Sequence, residues 1–267
     1  MTITTNLDRR SSQTKRIGVA LIPGVIIGTV WVVVTGMDLV SDRLLPGPVD
    51  VLTSMWQLVN RAYFWENLWI TLRVVAIAMV LSTIGGIALA SAIATVPTVR
   101  DGVYHFVVGL NMLPKVALVP LLTVTIGSNS RSRVVIVVLV AFFPVFMNAL
   151  TAIREANVDR IRLMRSLGAS RLQRLRFHLL PEGAPAIFAG LKLSLTIAFL
   201  GTILTEFLIR RDGLAYLITS FQATLNTSMM FATTILIAAL GVVAYQLIER
   251  AERRLVFWVD DAQGGRS

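Results

Sequence analysis

The feature that most constrains this chain is a set of long stretches that contain no Asp, Glu, Lys or Arg. These stretches are residues 17–37, 74–99, 116–130, 134–153, 193–205 and 213–248. About 20 apolar residues in a helix cross the hydrocarbon core of a bilayer. We therefore predict an all-α polytopic membrane protein. Its six transmembrane helices are expected at about residues 17–37, 68–92, 104–126, 133–153, 185–209 and 229–248.

The composition excludes other classes of protein. The chain is 55% hydrophobic and 15% charged, whereas a soluble domain is about 25% charged. There is no cysteine, which excludes a disulfide framework, a thiolate metal site and a cysteine nucleophile. The apolar run at 17–37 is longer than that of a typical signal peptide and no A-x-A site follows it, so we expect an uncleaved first helix.

The net charge of +10 predicts the orientation in the membrane. With the N-terminus inside, the cytoplasmic segments hold 16 Lys and Arg, the opposite side holds 6, and 3 fall within spans. The positive-inside rule then places both termini in the cytoplasm, as tails at 1–16 and 249–267. The charge is thereby explained as a topology signal and not as a nucleic-acid site. With no tandem repeat in the sequence, residues 1–267 are expected to form a single membrane domain.

One large cytoplasmic loop, residues 154–184, carries seven of the inside charges. Apolar residues recur every third position in its first half, which predicts a short helix that ends at Gly168. A second short helix is expected to end before Pro181. The loop is open to two interpretations: a basic segment resting on anionic headgroups, or a docking element for a cytosolic partner. Residues 213–227 are too polar to extend the last span and predict a helix at the outer surface.

The spacing within this loop resembles the EAA loop of ABC-importer permeases. Ser166-Leu167-Gly168-Ala169-Ser170 is followed by Leu180-Pro181, with the proline thirteen residues after the glycine. Further matches follow the family's order along residues 45–258 and are most similar to nitrate-, sulfonate- and taurine-type inner-membrane permeases. These matches are Leu45-Pro46-Gly47-Pro48, Leu113 to Leu121 (LPKVALVPL), Phe143-Pro144 with Asn148, Thr205-Glu206, and Gly213-Leu214-Ala215-Tyr216-Leu217.

The resemblance implies a type I ABC importer permease, which is a transport subunit and not an enzyme. It implies a cytosolic ABC ATPase dimer, an extracytoplasmic substrate-binding protein and a second permease subunit in a bacterial inner membrane. No G-x-x-x-x-G-K-[ST] motif occurs in the sequence, so ATP and Mg²⁺ are expected on the ATPase and no cofactor on this chain. The loop would act as the coupling helix. Its contact residues would be Arg162, Leu163, Met164, Arg165, Leu167, Gly168, Ala169, Leu180 and Pro181.

The loop departs from the family pattern at three consecutive positions. Arg162 stands six residues before Gly168, where the family has glutamate, and Leu163-Met164 replace two small residues. Glu155-Ala156 is out of register with the motif. The family's Trp before Gly127 is also missing here. We therefore hypothesise that this subunit pairs with a different, more regular permease, with a homodimer as the alternative.

Four ionisable residues within or at the ends of spans are candidates for the substrate pathway. They are Lys115, Lys192, Arg73 and Glu206. A charge at a helix centre costs about 2.5–3.5 kcal/mol on insertion scales, so each needs an interior, aqueous or snorkelling position. The cations would favour a small anionic solute such as a sulfonate, taurine or nitrate. Glu206 is equally suited to a gate, a binding-protein contact or an ion pair.

Three alternatives stay open from the sequence. The first is a permease of another ABC branch, for a vitamin precursor, an aromatic acid or an osmoprotectant. The others are an intramembrane enzyme and a membrane assembly factor. An enzyme would need convergent polar residues such as Ser/His or two Asp at membrane depth, and the spans offer mainly lysines and hydroxyl residues. The two histidines, His105 and His178, have no ligand-spaced partner, so no metal site is predicted.

Overall fold

A computed structural model describes residues 23–37, 39–94, 106–107, 109–112, 117–127, 129–209 and 211–257. The regular elements in these ranges are helices. Those before the coupling loop are α1 (Pro23–Gly36), α2 (Pro48–Val59), α3 (Ala62–Ala94), α4 (Leu118–Ile126) and α5 (Ser130–Arg154). Those from the loop onward are α6 (Val158–Ser166), α7 (Arg171–Ile209), α8 (Leu214–Ala223) and α9 (Thr227–Leu255).

Four of the described helices are long and apolar enough to cross a membrane: α3, α5, α7 and α9. They coincide with the predicted second, fourth, fifth and sixth spans. For the first span, α1 is a shorter apolar helix. For the third, the structure describes the nine-residue α4. Most of the rest of the first span, and residues 104–105, 108 and 113–116 of the third, lie outside the described residues. The count of six stays a prediction.

The described chain separates into two compact units. One comprises the residues up to Arg61 together with Ile218–Ile235, and the other comprises Ala62–Leu217 together with the residues from Leu236 onward. In the first unit, Trp31 Nε1 donates to the carbonyl oxygen of Pro46 at 3.0 Å, and the Trp31 ring lies 6.4 Å from that of Phe231. The prediction of a single domain over 1–267 stays a prediction.

The second unit is built on three packed helices, α3, α5 and α7. Its buried core contains one cluster around Val75, Val137 and Leu195, and a second around Ala90, Phe146 and Ile187. All three helices are apolar around most of their circumference, so close packing depends on small residues at the crossings. At Gly190 of α7 an added Cβ would lie 2.9 Å from the carbonyl oxygen of Pro144 in α5.

Hydroxyl side chains join the three core helices. Ser194 Oγ of α7 donates to the carbonyl oxygen of Ala141 at 2.6 Å, and Ser82 Oγ of α3 donates to that of Val138 at 3.2 Å. Both acceptors are in α5, so the central helix is hydrogen-bonded to both neighbours. A buried hydroxyl in an apolar bundle needs such an acceptor, and a backbone carbonyl can accept a second hydrogen bond.

The prediction that the second helix of the loop ends before Pro181 is wrong. The helix that begins at Arg171 continues without a break to Ile209. Its residues Leu175–Leu179 form a π-helical turn, and the Leu180 N–H donates to the Leu175 carbonyl five residues earlier. Proline lacks an N–H and its ring clashes with the carbonyl four residues before it. A π turn at this point lets the helix continue through the proline.

Candidate coupling site and buried charges

The predicted coupling helix is present as α6, and both of its ends are capped. At the N-terminus, the Asn157 side chain accepts hydrogen bonds from the N–H groups of Asp159 at 2.9 Å and Arg160 at 3.2 Å. Asx side chains at this position satisfy N–H groups that have no partner within the helix. The nine-residue helix is therefore fixed by local chemistry at its start, next to the end of α5.

The C-terminal end of α6 is a Schellman motif centred on Gly168. The Gly168 N–H donates to Arg165 O at 3.0 Å and the Ala169 N–H donates to Met164 O at 2.9 Å. This pattern needs a left-handed residue after the C-cap, and Gly168 has φ +78°. Ser170 then caps α7 through a reciprocal pair of hydrogen bonds with Gln173. The predicted turn at Gly168 is confirmed.

Most of the predicted coupling residues are solvent-exposed. Leu163 is 60% and Leu167 77% exposed, and Leu172 and Phe177 beyond the turn are exposed as well. Arg162, Arg165 and Gly168 are also exposed. Exposed large apolar residues grouped with cations are typical of a surface that binds another protein. We refer to Arg162, Leu163, Leu167 and Gly168 as the coupling surface.

The other predicted coupling residues lie deeper. Met164, Ala169, Leu180 and Pro181 are half-buried. Leu180 packs against the Phe146 core cluster, and Pro181 follows the π turn within α7. Any contact of these four residues with an ATPase stays a prediction. Glu155 is the C-cap of α5 and not part of α6, in agreement with its position out of register.

Glu206, in the last turn of α7, is completely buried, and its carboxylate lies at the N-terminus of α8. Its Oε1 accepts from Thr71 Oγ1 at 2.7 Å and its Oε2 accepts from the Ala215 N–H at 3.0 Å. The two preceding N–H groups find acceptors on α3: Gly213 N donates to Asn67 Oδ1 at 2.7 Å and Leu214 N to Thr71 Oγ1 at 2.9 Å. The first turn of a helix leaves such N–H groups without intrahelical partners and favours negative charge.

Gly213 is required at this turn for two reasons. Its φ is +101°, in the left-handed region that favours glycine. An added Cβ would also overlap the Glu206 carboxylate. The Glu206 carboxylate therefore occupies the space that a side chain at residue 213 would fill. In this position it links α7 to the start of α8. We refer to Asn67, Thr71, Glu206 and Gly213 as the Glu206 network.

A buried arginine beside this network was not anticipated from the sequence. Arg133, counted there as a loop cation, is 2% exposed. Its Nη2 lies 2.5 Å from Asp212 Oδ1, and its Nη1 donates to the Asp212 carbonyl oxygen at 3.5 Å. A buried guanidinium requires such a carboxylate partner. The only sequence signal was Asp212 directly before the Gly213-Leu214 motif, 79 positions away from Arg133.

The remaining candidates for the substrate pathway differ in their surroundings. Lys192 Nζ lies 2.5 Å from Glu252 Oε2, with each side chain about one fifth exposed. Arg73 is on an exposed face of α3. Side chains on a helix tilt toward its N-terminus, which directs Arg73 toward the exposed Trp69 one turn earlier. Lys115 lies outside the described residues. Lys192 is thus neutralised by a partner within the chain, and the pathway role of all four residues stays a prediction.

Comparison with known proteins gives the family. Residues 82–257 match the family described as the inner membrane component of binding-protein-dependent transport systems. The chain belongs to this family. It is a permease subunit of an ABC importer, a transport component and not an enzyme, and ATP hydrolysis takes place on a separate subunit.

Named relatives match over most of the chain. The taurine transport system permease protein TauC of Escherichia coli is 29% identical, over 89% of this chain and 88% of its own length. The aliphatic sulfonates transport permease protein SsuC of Bacillus subtilis, a putative assignment, is 28% identical over 91% and 88%. The formylaminopyrimidine transport permease protein ThiX of Halalkalibacterium halodurans is 26% identical over 80% and 86%.

A solved structure supports the fold. The crystal structure of an amino acid ABC transporter with histidines matches with a TM-score of 0.56 and 16% identity. The match covers 73% of this chain and 92% of that one. At this identity the match supports the arrangement of the helices and carries no information about the transported solute.

Proposed function

We propose that this permease imports a small organic anion of the sulfonate or taurine type and is driven through the coupling surface on α6. Support for the coupling role comes from one observation above all. A short helix capped at both ends presents exposed leucines and an arginine next to a left-handed glycine. A rigid element of this kind transmits a push or pull from an ATPase to the spans, because α7 begins just beyond the turn at Gly168 and runs as one uninterrupted helix from Arg171 to Ile209.

The assembly that we infer has an ATPase dimer binding ATP and Mg²⁺, a binding protein outside, and two permease subunits. Both termini lie in the cytoplasm, in accordance with the distribution of Lys and Arg. ATP-driven closure of the ATPases moves α6, and the spans alternate access around a site near mid-membrane. Arg162 in place of the family's glutamate supports pairing with a different permease. Mass measurement of the purified complex tests this pairing, and two identical copies of this chain would contradict it.

The sulfonate proposal rests on the solutes for which TauC and SsuC are named and on the exposed cation Arg73. A vitamin precursor is the second candidate, since ThiX is named as a formylaminopyrimidine transport permease. Uptake into proteoliposomes that contain the complete importer distinguishes the two. We expect taurine or an alkanesulfonate to stimulate ATP hydrolysis and to accumulate. Stimulation of ATP hydrolysis by a pyrimidine and not by a sulfonate would make the vitamin precursor the first candidate.

A further inference from the structure

A cavity of about 810 Å³ lies behind the coupling helix, within the second unit. It is bounded by the last turns of α3 and α5, by α6 and by the first turns of α7. Small-molecule sites typically measure about 300–1,000 Å³. The cavity is on the opposite side of α6 from the exposed Leu163 and Leu167, neither of which lines it. It is therefore separate from the coupling surface.

The polar lining of the cavity is cationic. It includes Arg154, Arg165, Arg171 and Arg174, and no carboxylate occurs among its described lining residues. In the described part of the chain, Arg165 and Arg171 make no ion pair, and Arg174 Nη1 donates to the carbonyl oxygen of Ala169 at 2.8 Å. Several guanidinium groups around one cavity repel each other unless an anion lies between them.

A second observation also indicates a ligand. Ser91 of α3 lines the cavity, is 8% exposed, and its Oγ has no hydrogen-bond partner among the described residues. Serine in a helix can donate to the carbonyl four residues earlier, and the other buried α3 hydroxyls, on Thr71 and Ser82, are hydrogen-bonded. A buried hydroxyl without a partner destabilises the structure, and a ligand oxygen at this position would offset that cost.

The rest of the lining is apolar, with Ile153, Ile161 and Leu175 among its members. We propose that the cavity binds a molecule that carries a phosphate group and an apolar part. Arginine forks match phosphate oxygens in bidentate geometry, and a phosphate offers more acceptor oxygens than a carboxylate to the unpaired Arg165 and Arg171. The phosphate can belong to an anionic phospholipid of the inner leaflet or to a soluble organic phosphate. The candidate pathway residues Arg73, Lys192 and Glu206 are not among the described lining residues of the cavity.

Binding to the purified permease–ATPase complex in nanodiscs tests the proposal. The matched variants are Arg165→Gln/Arg171→Gln, which removes two cavity cations, and Arg160→Gln/Arg176→Gln, which removes two charges outside the cavity on the same helices. In one arm, native mass spectrometry counts phosphatidylglycerol retained from mixed phosphatidylcholine nanodiscs. In the other arm, inorganic phosphate and glycerol 3-phosphate are titrated into pure phosphatidylcholine nanodiscs, and hydrogen exchange of residues 158–175 is measured.

We expect either phosphatidylglycerol or the soluble phosphates to bind the wild type and the control variant Arg160→Gln/Arg176→Gln equally well. Binding by the cavity variant should be about tenfold weaker or more, because each charge-assisted hydrogen bond lost costs on the order of tenfold. Retention of phosphatidylglycerol identifies the lipid as the source, and protection by the soluble probes alone identifies an organic phosphate. Binding of neither class, or equal binding by the cavity variant, overturns the proposal. Neither arm depends on transport, so the result is independent of the proposed solute.

Discussion

At the scale of single residues, Gly168 combines a structural and a docking role that can be separated. Its φ of +78° strains any other L-residue, yet a Cβ there meets no atom within 4 Å. The strain costs about 1 kcal/mol, too little to unfold a membrane protein. We expect Gly168→Asp to insert normally and to uncouple ATP hydrolysis from transport, because it places a negative charge on the coupling surface.

The matched control for this change is Gly168→Ala, which introduces at least as much backbone strain as aspartate, a residue that tolerates positive φ better, and adds no charge. It should retain most of the uptake of the wild type. Uptake and ATP hydrolysis are both measured on reconstituted importer. Wild-type uptake by the aspartate variant would refute the assignment of the coupling surface, and equal loss in both variants would show that strain alone is responsible.

Arg162 is the residue at which the chain departs from its family. Its guanidinium is 74% exposed and lies 3.4 Å from Asp159 on the same helix, an exposed pair worth at most about 1 kcal/mol. We expect Arg162 to pair with an acidic residue of the ATPase, so Arg162→Glu should abolish solute-stimulated ATP hydrolysis. Asp159→Asn removes the pair within the helix and should leave coupling intact. Retained coupling in Arg162→Glu would contradict the pairing.

Substitutions of Glu206 can distinguish a structural role of this buried acid from a role in transport. Both of its oxygens are hydrogen-bonded, so Glu206→Ala leaves the Ala215 N–H and the Thr71 hydroxyl without this acceptor. The expected loss of stability is about 1–3 kcal/mol. Gly213→Ala should destabilise the protein through overlap with the same carboxylate. Thermal unfolding measures both. A Glu206→Gln variant with wild-type stability and an altered KM for uptake would instead indicate contact with the solute.

At the scale of helices, the sequence predicted what local chemistry determines. The end of α6 at Gly168 follows from one residue's tolerance of positive φ. The continuation of α7 through Pro181 could not be predicted, because it depends on a π turn supported by packing of Leu179 and Leu180 on the core. The Glu206 network joins residues 135 positions apart, a separation at which helical periodicity carries no information.

The ion pair between Lys192 and Glu252 joins α7 to α9 and yields a prediction for these two elements. Reversing one charge, as in Lys192→Glu, should weaken the contact. Reversing both, as in Lys192→Glu/Glu252→Lys, should restore it. A double-mutant cycle of thermal stability should give a coupling energy of about 1 kcal/mol. If the double reversal recovers stability but not uptake, Lys192 also acts in the substrate pathway.

At the scale of the whole molecule, hydropathy predicts which segments cross the membrane, because a helix needs about 20 apolar residues to cross the hydrocarbon core. Four predicted spans are confirmed as long apolar helices among the described residues. The sequence does not specify which faces of these helices meet. Those contacts depend on small residues such as Gly190, whose environment is created by Pro144 and Asn148 on a different helix.

The orientation of the chain is the remaining whole-molecule prediction, and the absence of cysteine makes it directly measurable. Leu167 and Arg211 are both exposed and lie just beyond opposite ends of α7. With both termini cytoplasmic, Leu167→Cys should react with an impermeant maleimide only after the cells are opened. Arg211→Cys should react in intact spheroplasts. The unsubstituted chain, which has no thiol, provides the background. The opposite pattern would invert the topology and would place the coupling surface outside the cell, where no ATP is available to drive it.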